Sequence, residues 1–144
     1  MKVEYKGYFF IIISDTIVRR LGRLISLGDN AMAITVFPFI FVRRITRPNK
    51  ELIRHETIHI RQQLELLLVG AIMLYLYEFL YAKFVKKLDA RQVYYYSAME
   101  QEAHRNARNE QYLKTRKPLT VLKYIFNKKQ LRRGPNDELI QEEY

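Results

Sequence analysis

Three residues near the middle of the chain, His55, Glu56 and His59, have the types and spacing of a metal-dependent hydrolytic site. They form the pattern H-E-x-x-H. Residues four apart lie on one face of an α-helix, so both imidazoles can bind the same metal ion. Glu56, rotated by about 100° around the helix from His55, then lies beside the open coordination position. The pattern predicts a zinc site with a carboxylate next to it.

A zinc ion that keeps one position open needs a third protein ligand. The candidates are Glu100, Glu102 and His104, in the segment that holds the only other histidine. Helical spacing places Glu100 in an apolar stripe and Glu102 on a polar face, so Glu100 is the preferred ligand. His104, one turn after Glu100, is expected to support that ligand or to donate to a developing oxyanion; ligation and simple packing are its alternatives.

The composition limits the chemistry and the class of protein. The chain has 144 residues, of which 49% are hydrophobic, and it contains no cysteine. It can therefore bury a core, which excludes a disordered protein, and it has no thiolate ligand, disulfide or cysteine nucleophile. We expect a single domain over residues 1–133, followed by an acidic tail over residues 134–144 that has four acids and no base.

The pattern of apolar residues predicts an α+β fold. Residues 1–13 and 31–43 are rich in β-branched and aromatic residues and are predicted to form a small antiparallel sheet. Pro38 favours an edge strand because it lacks a backbone donor. Helical spacing predicts further helices, over residues 15–27, from Lys50 through Leu64, over residues 89–113 and over residues 119–131.

Residues 66–82 form an apolar run interrupted by Glu78. The run is shorter than the ~20 residues that a membrane span needs, so we expect a buried helix, with a span or an interfacial segment as alternatives. The apolar residues 8–13 are too few for the core of a signal peptide, and no small-residue cleavage site follows them. A cytoplasmic or peripherally membrane-associated location is therefore expected.

The two motifs together resemble those of a known family. His55-Glu56-Thr57-Ile58-His59, followed by Glu100-Gln101-Glu102-Ala103, is similar to the gluzincin zinc metallopeptidases, especially the HtpX-like and CAAX-processing types. Arg61-Gln62-Gln63 also resembles small zincin-like proteins with the pattern H-E-x-x-H-x-x-Q-Q. The likeness covers roughly residues 32–110. His104 stands where those families carry Asp, which is a departure from their second motif.

The resemblance implies a zincin-like fold in which His55, His59 and Glu100 hold Zn²⁺ and Glu56 is the general base. It also implies that the strand before the active-site helix, Thr35–Arg43 here, binds the backbone of a peptide substrate as an added strand. Zincin sites often hold the oxyanion with a further side chain. The candidates for that role are His104, Arg105, Tyr94, Tyr95 and Tyr96.

The leading hypothesis is therefore a zinc-dependent peptidase that acts on peptides or proteins. A second hypothesis is a non-catalytic module that the same zinc site stabilises. A third follows from residues 114–133, which contain eight Lys or Arg and no acid in a chain of net charge +10. This basic segment could dock on an anionic membrane surface or on nucleic acid, although nucleic acid is not expected to be the main partner.

Overall fold

A computed structural model of the protein describes residues 2–24, 31–46, 49–135 and 139–143. Within these residues the fold is α+β, as the sequence predicted. The strands are β1 (Lys2–Tyr5), β2 (Phe10–Ile13), β3 (Ala33–Val36), β4 (Phe39–Val42), β5 (Lys129–Arg133) and β6 (Leu139–Glu143). The α-helices are α1 (Asp15–Leu24), α2 (Lys50–Glu65), α3 (Val69–Leu80), α4 (Ala90–Tyr96), α5 (Ala98–Asn106), α6 (Tyr112–Thr115) and α7 (Val121–Phe126).

The N-terminal sheet has four strands in the order β1-β2-β4-β3. The prediction that it is antiparallel is wrong, because β2 and β4 run parallel while the two hairpins are antiparallel. The cause is the strand order: β3 begins at the end of the sheet where β2 ends and runs antiparallel to β2, and β4 then returns between them, parallel to β2. The expected single strand over Thr35–Arg43 is also wrong: the cis peptide bond at Phe37-Pro38 lies in the turn of a hairpin.

The sheet lies between two helices. Side chains alternate between its faces, so Ile34 and Phe41 pack with Val18 of α1. The other face packs through Ile40 and Val42 against Ile60 of α2. The strand order makes β1 and β3 the edge strands, and β3 contacts α2. The helix predicted over residues 15–27 is observed as Asp15–Leu24, and residues 25–30 lie outside the described residues.

The helix predicted from Lys50 through Leu64 is confirmed as α2. Its first turn is capped by Asn49, whose side-chain oxygen accepts from the backbone N–H of Leu52 at 2.7 Å. After α2 the chain turns through Leu67 and Leu68, both with positive φ, and continues in α3. The axes of Lys50–Glu65 and Val69–Val85 differ by 110°.

The apolar run over residues 66–82 forms α3 and the start of a π-helical turn, Tyr81–Val85. The inner side of α3 packs in a cluster with α5 and α7, whose buried members are Ala71, Ala98, Met99 and Val121. Across the described residues, none of the helices taken singly has the length and apolar composition of a membrane span. Only the bent pair of α2 and Val69–Val85 meets both conditions.

The single helix predicted over residues 89–113 is wrong. The chain breaks at Ser97, where ψ is 131°, and α4 and α5 meet at this residue. Glu78 explains how the break is stabilised, since its buried carboxylate accepts from the backbone N–H of Ala98 at 2.8 Å and pairs with Lys128. The carboxylate of Glu78, inside the apolar run, therefore caps the start of α5.

The C-terminal segment also differs from the prediction. The helix expected over residues 119–131 ends at Phe126, and β5 follows it. Residues 139–143 of the expected acidic tail form β6, which pairs antiparallel with β5. Oppositely charged residues lie across this hairpin, as in the pair of Arg132 with Glu142. Residues 136–138 and 144 of the tail lie outside the described residues.

Candidate metal centre

The two histidines of the H-E-x-x-H motif lie one turn apart on α2 and are both buried. Their Nε2 atoms are 3.1 Å apart, and the two rings are nearly perpendicular, with an interplanar angle of 81°. Two ring nitrogens so close together in a buried position can share one cation. The helical spacing thus brings the imidazoles to a common point.

Glu100 reaches the same point from α5. Its Oε1 lies 3.3 Å from His59 Nε2, and its Oε2 lies 3.4 Å from His55 Nε2. Helix α5 begins at the break after Ser97, which directs its first turn towards α2. The structure therefore places two imidazoles and one carboxylate, from two helices, around one position.

His104 adds a third imidazole. Its Nε2 is 3.3 Å from Glu100 Oε2, and its ring centroid is 4.4 Å from that of His55. Candidate ligand atoms of His55, Glu100 and His104 all lie within 4.8 Å of one another. His104 Nε2 is also 3.1 Å from the hydroxyl of Tyr94. These distances are compatible with His104 as a metal ligand and also with His104 as a residue that supports Glu100.

The pKa values of His55 and His59 are shifted in opposite directions. Burial lowers the pKa of His55. Burial acts in the same direction on His59, but the carboxylates of Glu100 and Glu56 outweigh it and raise the pKa of His59 to about 9. The imidazoles, His59 above all, hold the pKa of Glu100 well below its usual range despite burial. At neutral pH the metal-free site therefore contains an ionised Glu100 and a protonated His59.

Two buried atoms at this position have no hydrogen-bond partner among the residues that the structure describes. They are Glu100 Oε2 and His104 Nδ1. A buried carboxylate oxygen without a donor costs free energy unless a cation compensates it. Three imidazole nitrogens and a carboxylate oxygen are ligand types that Zn²⁺ accepts. The residues present therefore fit a zinc ion.

Glu56 is buried beside the candidate ligands. Its Oε2 accepts from the hydroxyl of Thr35 at 2.5 Å, which ties the carboxylate to the edge strand β3. Its charge raises the pKa of both His59 and Tyr94, so it lies within electrostatic range of both. Burial and the charge of Glu100 raise the pKa of Tyr94 well above its usual range, which keeps that hydroxyl protonated.

Gln62 connects the candidate ligands to a second buried group. His59 Nδ1 donates to Gln62 Oε1 at 2.8 Å, which leaves Nε2 pointing to Glu100. The amide of Gln62 then donates to Glu102 Oε2 at 2.9 Å. Metal-binding histidines generally have such a partner on the second ring nitrogen. Gln62 lies three residues after His59 on the same helical face, a spacing that could have identified it.

The placement of Glu102 on a polar face is wrong, because its side chain is fully buried. It accepts from the hydroxyl of Tyr112 at 3.0 Å and pairs with Arg116, which also pairs with Glu65. The counter-charge for Glu102 thus lies outside its own helix, and helical periodicity alone gives no signal for it. Within the described residues, every oxygen of Glu102 has a partner.

Gln63 bonds to the edge strand. Its Nε2 donates to the carbonyl of Thr35 at 2.8 Å, and its Oε1 accepts from the backbone N–H of Phe37 at 2.7 Å. The carbonyl belongs to β3, and the N–H belongs to the turn between β3 and β4. The family resemblance gave no role to this side chain, which here binds part of the edge where a substrate strand was expected.

The basic segment 114–133 does not form one solvated surface. Arg116 is buried with Glu102 and Glu65, Lys128 is largely buried with Glu78, and Arg132 pairs with Glu142.

Comparisons of the chain with protein families, with curated proteins and with solved structures found no match.

Proposed function

We propose that this protein is a zinc-dependent peptidase of a minimal gluzincin type. The observation that carries the proposal is the buried Oε2 of Glu100, which has no hydrogen bond among the described residues and lies between His55 and His104. A cation at that position would compensate the carboxylate and bind the imidazoles. Glu56, buried beside them, supplies the group that hydrolytic chemistry needs.

The residues that would hold the zinc ion are His55, His59 and Glu100. They supply two imidazole ligands and one carboxylate ligand. When bound, zinc would polarise the substrate carbonyl and make a water molecule acidic enough to react near neutral pH. All remaining steps fall to side chains of the chain itself.

Glu56 would take the proton from the attacking water and pass it to the leaving amine. The hydrogen bond from Thr35 fixes one oxygen of this carboxylate and leaves the other for proton transfer. Tyr94 is the best-placed donor for the oxyanion, since its hydroxyl is buried, protonated and within 3.1 Å of His104 Nε2. Preorganised donors of this kind act most strongly in a site that excludes water.

A substrate backbone would pair with the outward-facing groups of β3. The side chain of Gln63 already bonds to one of them, the carbonyl of Thr35, and to the N–H of Phe37 in the following turn. A bound peptide would therefore extend along β3 from the Ala33 end, or would replace the Gln63 amide. The hydroxyl of Thr35, on the same edge strand, donates to Glu56. The substrate and the general base would therefore both be positioned by β3.

The test is Glu56→Gln, compared with wild type in zinc content and in cleavage of an unfolded protein such as casein. We expect zinc to stay stoichiometric while the rate of cleavage falls by about 10²–10⁴-fold, because the general base is lost. Glu51→Gln is the control, since Glu51 lies on the same helix in an exposed pair with Arg108. Equal cleavage by both variants and wild type would exclude Glu56 as the base.

A second candidate function has its own observation. His104 offers a fourth ligand atom beside Glu100, and four protein ligands would close the coordination of a zinc ion as in structural sites. The module would then be held together by the metal and would not hydrolyse peptides. X-ray absorption of the zinc-loaded protein distinguishes the two: three imidazoles with one carboxylate indicate the closed site, and two imidazoles with one carboxylate and water indicate the open one.

A further inference from the structure

The outward side of α3 is an apolar surface that nothing in the described structure covers. Its side chains recur at intervals of three and four residues along the whole helix and are between 44% and 66% exposed. We call them the α3 outer face. Its members are Val69, Ile72, Met73, Leu76, Tyr77 and Leu80.

The α3 outer face is continuous because α3 is apolar on both of its sides. Ala71 and Leu74 of the inner side pack in the cluster with α5 and α7, so the outer face points away from that core. A helix of a globular protein normally has a polar outer side. Exposed apolar patches that extend over a whole helix mark sites of interaction, whereas single exposed apolar residues are common.

The α3 outer face carries no charge of its own. The one ionisable group within α3 apart from its tyrosines is Glu78, which is 3% exposed and is bound by Lys128 and the N–H of Ala98. Positive charge lies directly after the helix, where Lys83, Lys86 and Lys87 are all exposed. Lys83 Nζ lies 5.4 Å from the ring centroid of Phe79 and 5.7 Å from that of Phe84.

This combination of groups matches one kind of partner. An apolar helical side flanked by lysines and aromatic rings is the composition of a helix that lies in the interface of a bilayer with anionic headgroups. Contacts between protein chains instead tend to exclude lysine from their centre. The net charge of +10 opposes association of two copies and favours approach to an anionic surface.

We propose that the α3 outer face docks on the surface of an anionic membrane, with its apolar side chains among the acyl chains and Lys83, Lys86 and Lys87 at the phosphates. This surface differs from the basic segment 114–133, in which three of the basic side chains are used for internal ion pairs. The proposal is independent of zinc and of hydrolysis. It concerns only where the chain is held.

Flotation with vesicles tests the proposal with the full chain. One set of vesicles contains phosphatidylcholine alone, and the other contains equal parts of phosphatidylcholine and phosphatidylglycerol. We expect wild type to float with the anionic vesicles and much less with the neutral ones. Ile72→Ser/Met73→Ser/Leu76→Ser should weaken partition by roughly tenfold or more, because it removes apolar side chains from the buried surface.

The matched control is Val3→Ser/Met32→Ser/Ile45→Ser, which changes three exposed apolar residues away from α3. It should partition like wild type. A further variant, Lys83→Gln/Lys86→Gln/Lys87→Gln, should lose about a hundredfold in affinity for the anionic vesicles and little for the neutral ones. Circular dichroism and thermal unfolding of each variant establish that it is folded before partition is compared.

Several results would overturn the proposal. Wild type that floats with neither set of vesicles, or a control variant that loses as much partition as the α3 variant, removes its basis. A dimer in analytical ultracentrifugation that the α3 variant dissociates, without vesicle binding, assigns the face to a second copy. Resistance of bound protein to an alkaline carbonate wash indicates insertion across the bilayer rather than docking on its surface.

Discussion

Two buried carboxylates, Glu100 and Glu102, lie two residues apart on α5 and have opposite surroundings. Glu102 is bound by Gln62, Tyr112 and Arg116, so both of its oxygens have donors. Glu100 faces three imidazoles, and its Oε2 has no hydrogen bond among the described residues. The first carboxylate is neutralised by the protein itself. The second faces imidazoles that could share a cation with it, so we infer that Glu102 supports the fold and that Glu100 is a ligand of the proposed zinc site.

The two carboxylates also differ in what their partners can do. Arg116 cannot lose its proton at any pH at which the protein is folded, so it stays a counter-charge beside Glu102. The partners of Glu100 are imidazoles, which can lose a proton and then bind a metal. Substitutions at the two positions should therefore affect different properties, one the zinc affinity and the other the free energy of unfolding.

The largest effect is expected for Glu100→Gln. This change removes the charged ligand and should weaken zinc binding by about a thousandfold, roughly a third of the free energy that a protein zinc site supplies. The metal-free variant should remain folded, because His59 can lose its proton when the carboxylate is gone. Zinc titration with a competing chelator measures the affinity. Unchanged affinity would mean that Glu100 is not a ligand.

Glu102→Gln should lower the free energy of unfolding and leave the zinc affinity largely unchanged. It leaves Arg116 buried with Glu65 as its only carboxylate partner among the described residues, and we expect the free energy of unfolding to fall by about 3 kcal/mol. Denaturant unfolding in a chelating buffer measures it. The control is Glu142→Gln, which breaks the exposed pair with Arg132 and should change stability by less than about 0.5 kcal/mol.

The difference between Glu100 and Glu102 would disappear if Glu102→Gln lost zinc affinity as completely as Glu100→Gln while stability stayed the same. In that case the two carboxylates would form one site. Measuring both properties in both variants distinguishes this result from simple unfolding.

A smaller effect is expected for Gln62→Leu, which breaks the connection between the two groups. The residue accepts from His59 Nδ1 and donates to Glu102. Without it, His59 is no longer oriented, and zinc affinity should fall by about 10–100-fold. Gln62→Met, which keeps the length of the side chain but has no amide, should lose as much affinity as Gln62→Leu. Wild-type affinity in Gln62→Met would indicate that the loss in Gln62→Leu is a packing defect instead of an orientation effect.

The same comparison shows what could be read from the sequence. Helical spacing placed His55, His59 and Glu100 on buried faces, and the structure brings them together. It failed for Glu102, because the partner that permits burial, Arg116, comes from a later part of the chain. Periodicity reports which face of a helix is apolar, but a buried charge depends on a counter-charge that only the tertiary fold supplies.

The fold shows the same limit. The helix α2 was predictable, since its cap and its apolar stripe are local. The parallel pairing of β2 with β4 and the break at Ser97 depend on contacts distant in sequence, namely the position of β4 between β2 and β3 and the carboxylate of Glu78. The apolar run that became α3 was identified, but its two sides are distinguished only by what packs against them.

The smallest effect concerns the pH dependence of zinc binding. The charges of Glu100 and Glu56 raise the pKa of His59 to about 9, so this imidazole carries a proton at pH 7 in the metal-free protein. Zinc binding must release that proton. Affinity should therefore rise about tenfold between pH 7 and pH 8 and level off above pH 9. The same raised pKa means that the ion pair of His59 with Glu100 stabilises the metal-free fold below about pH 6.5 in full, and that this contribution is lost as the pH rises through 9. Calorimetry in buffers of different ionisation enthalpy counts the released protons. In Glu100→Gln the release from His59 should decrease, because the carboxylate that contributes most to holding its proton is absent, whereas an unchanged count would place the proton on another group.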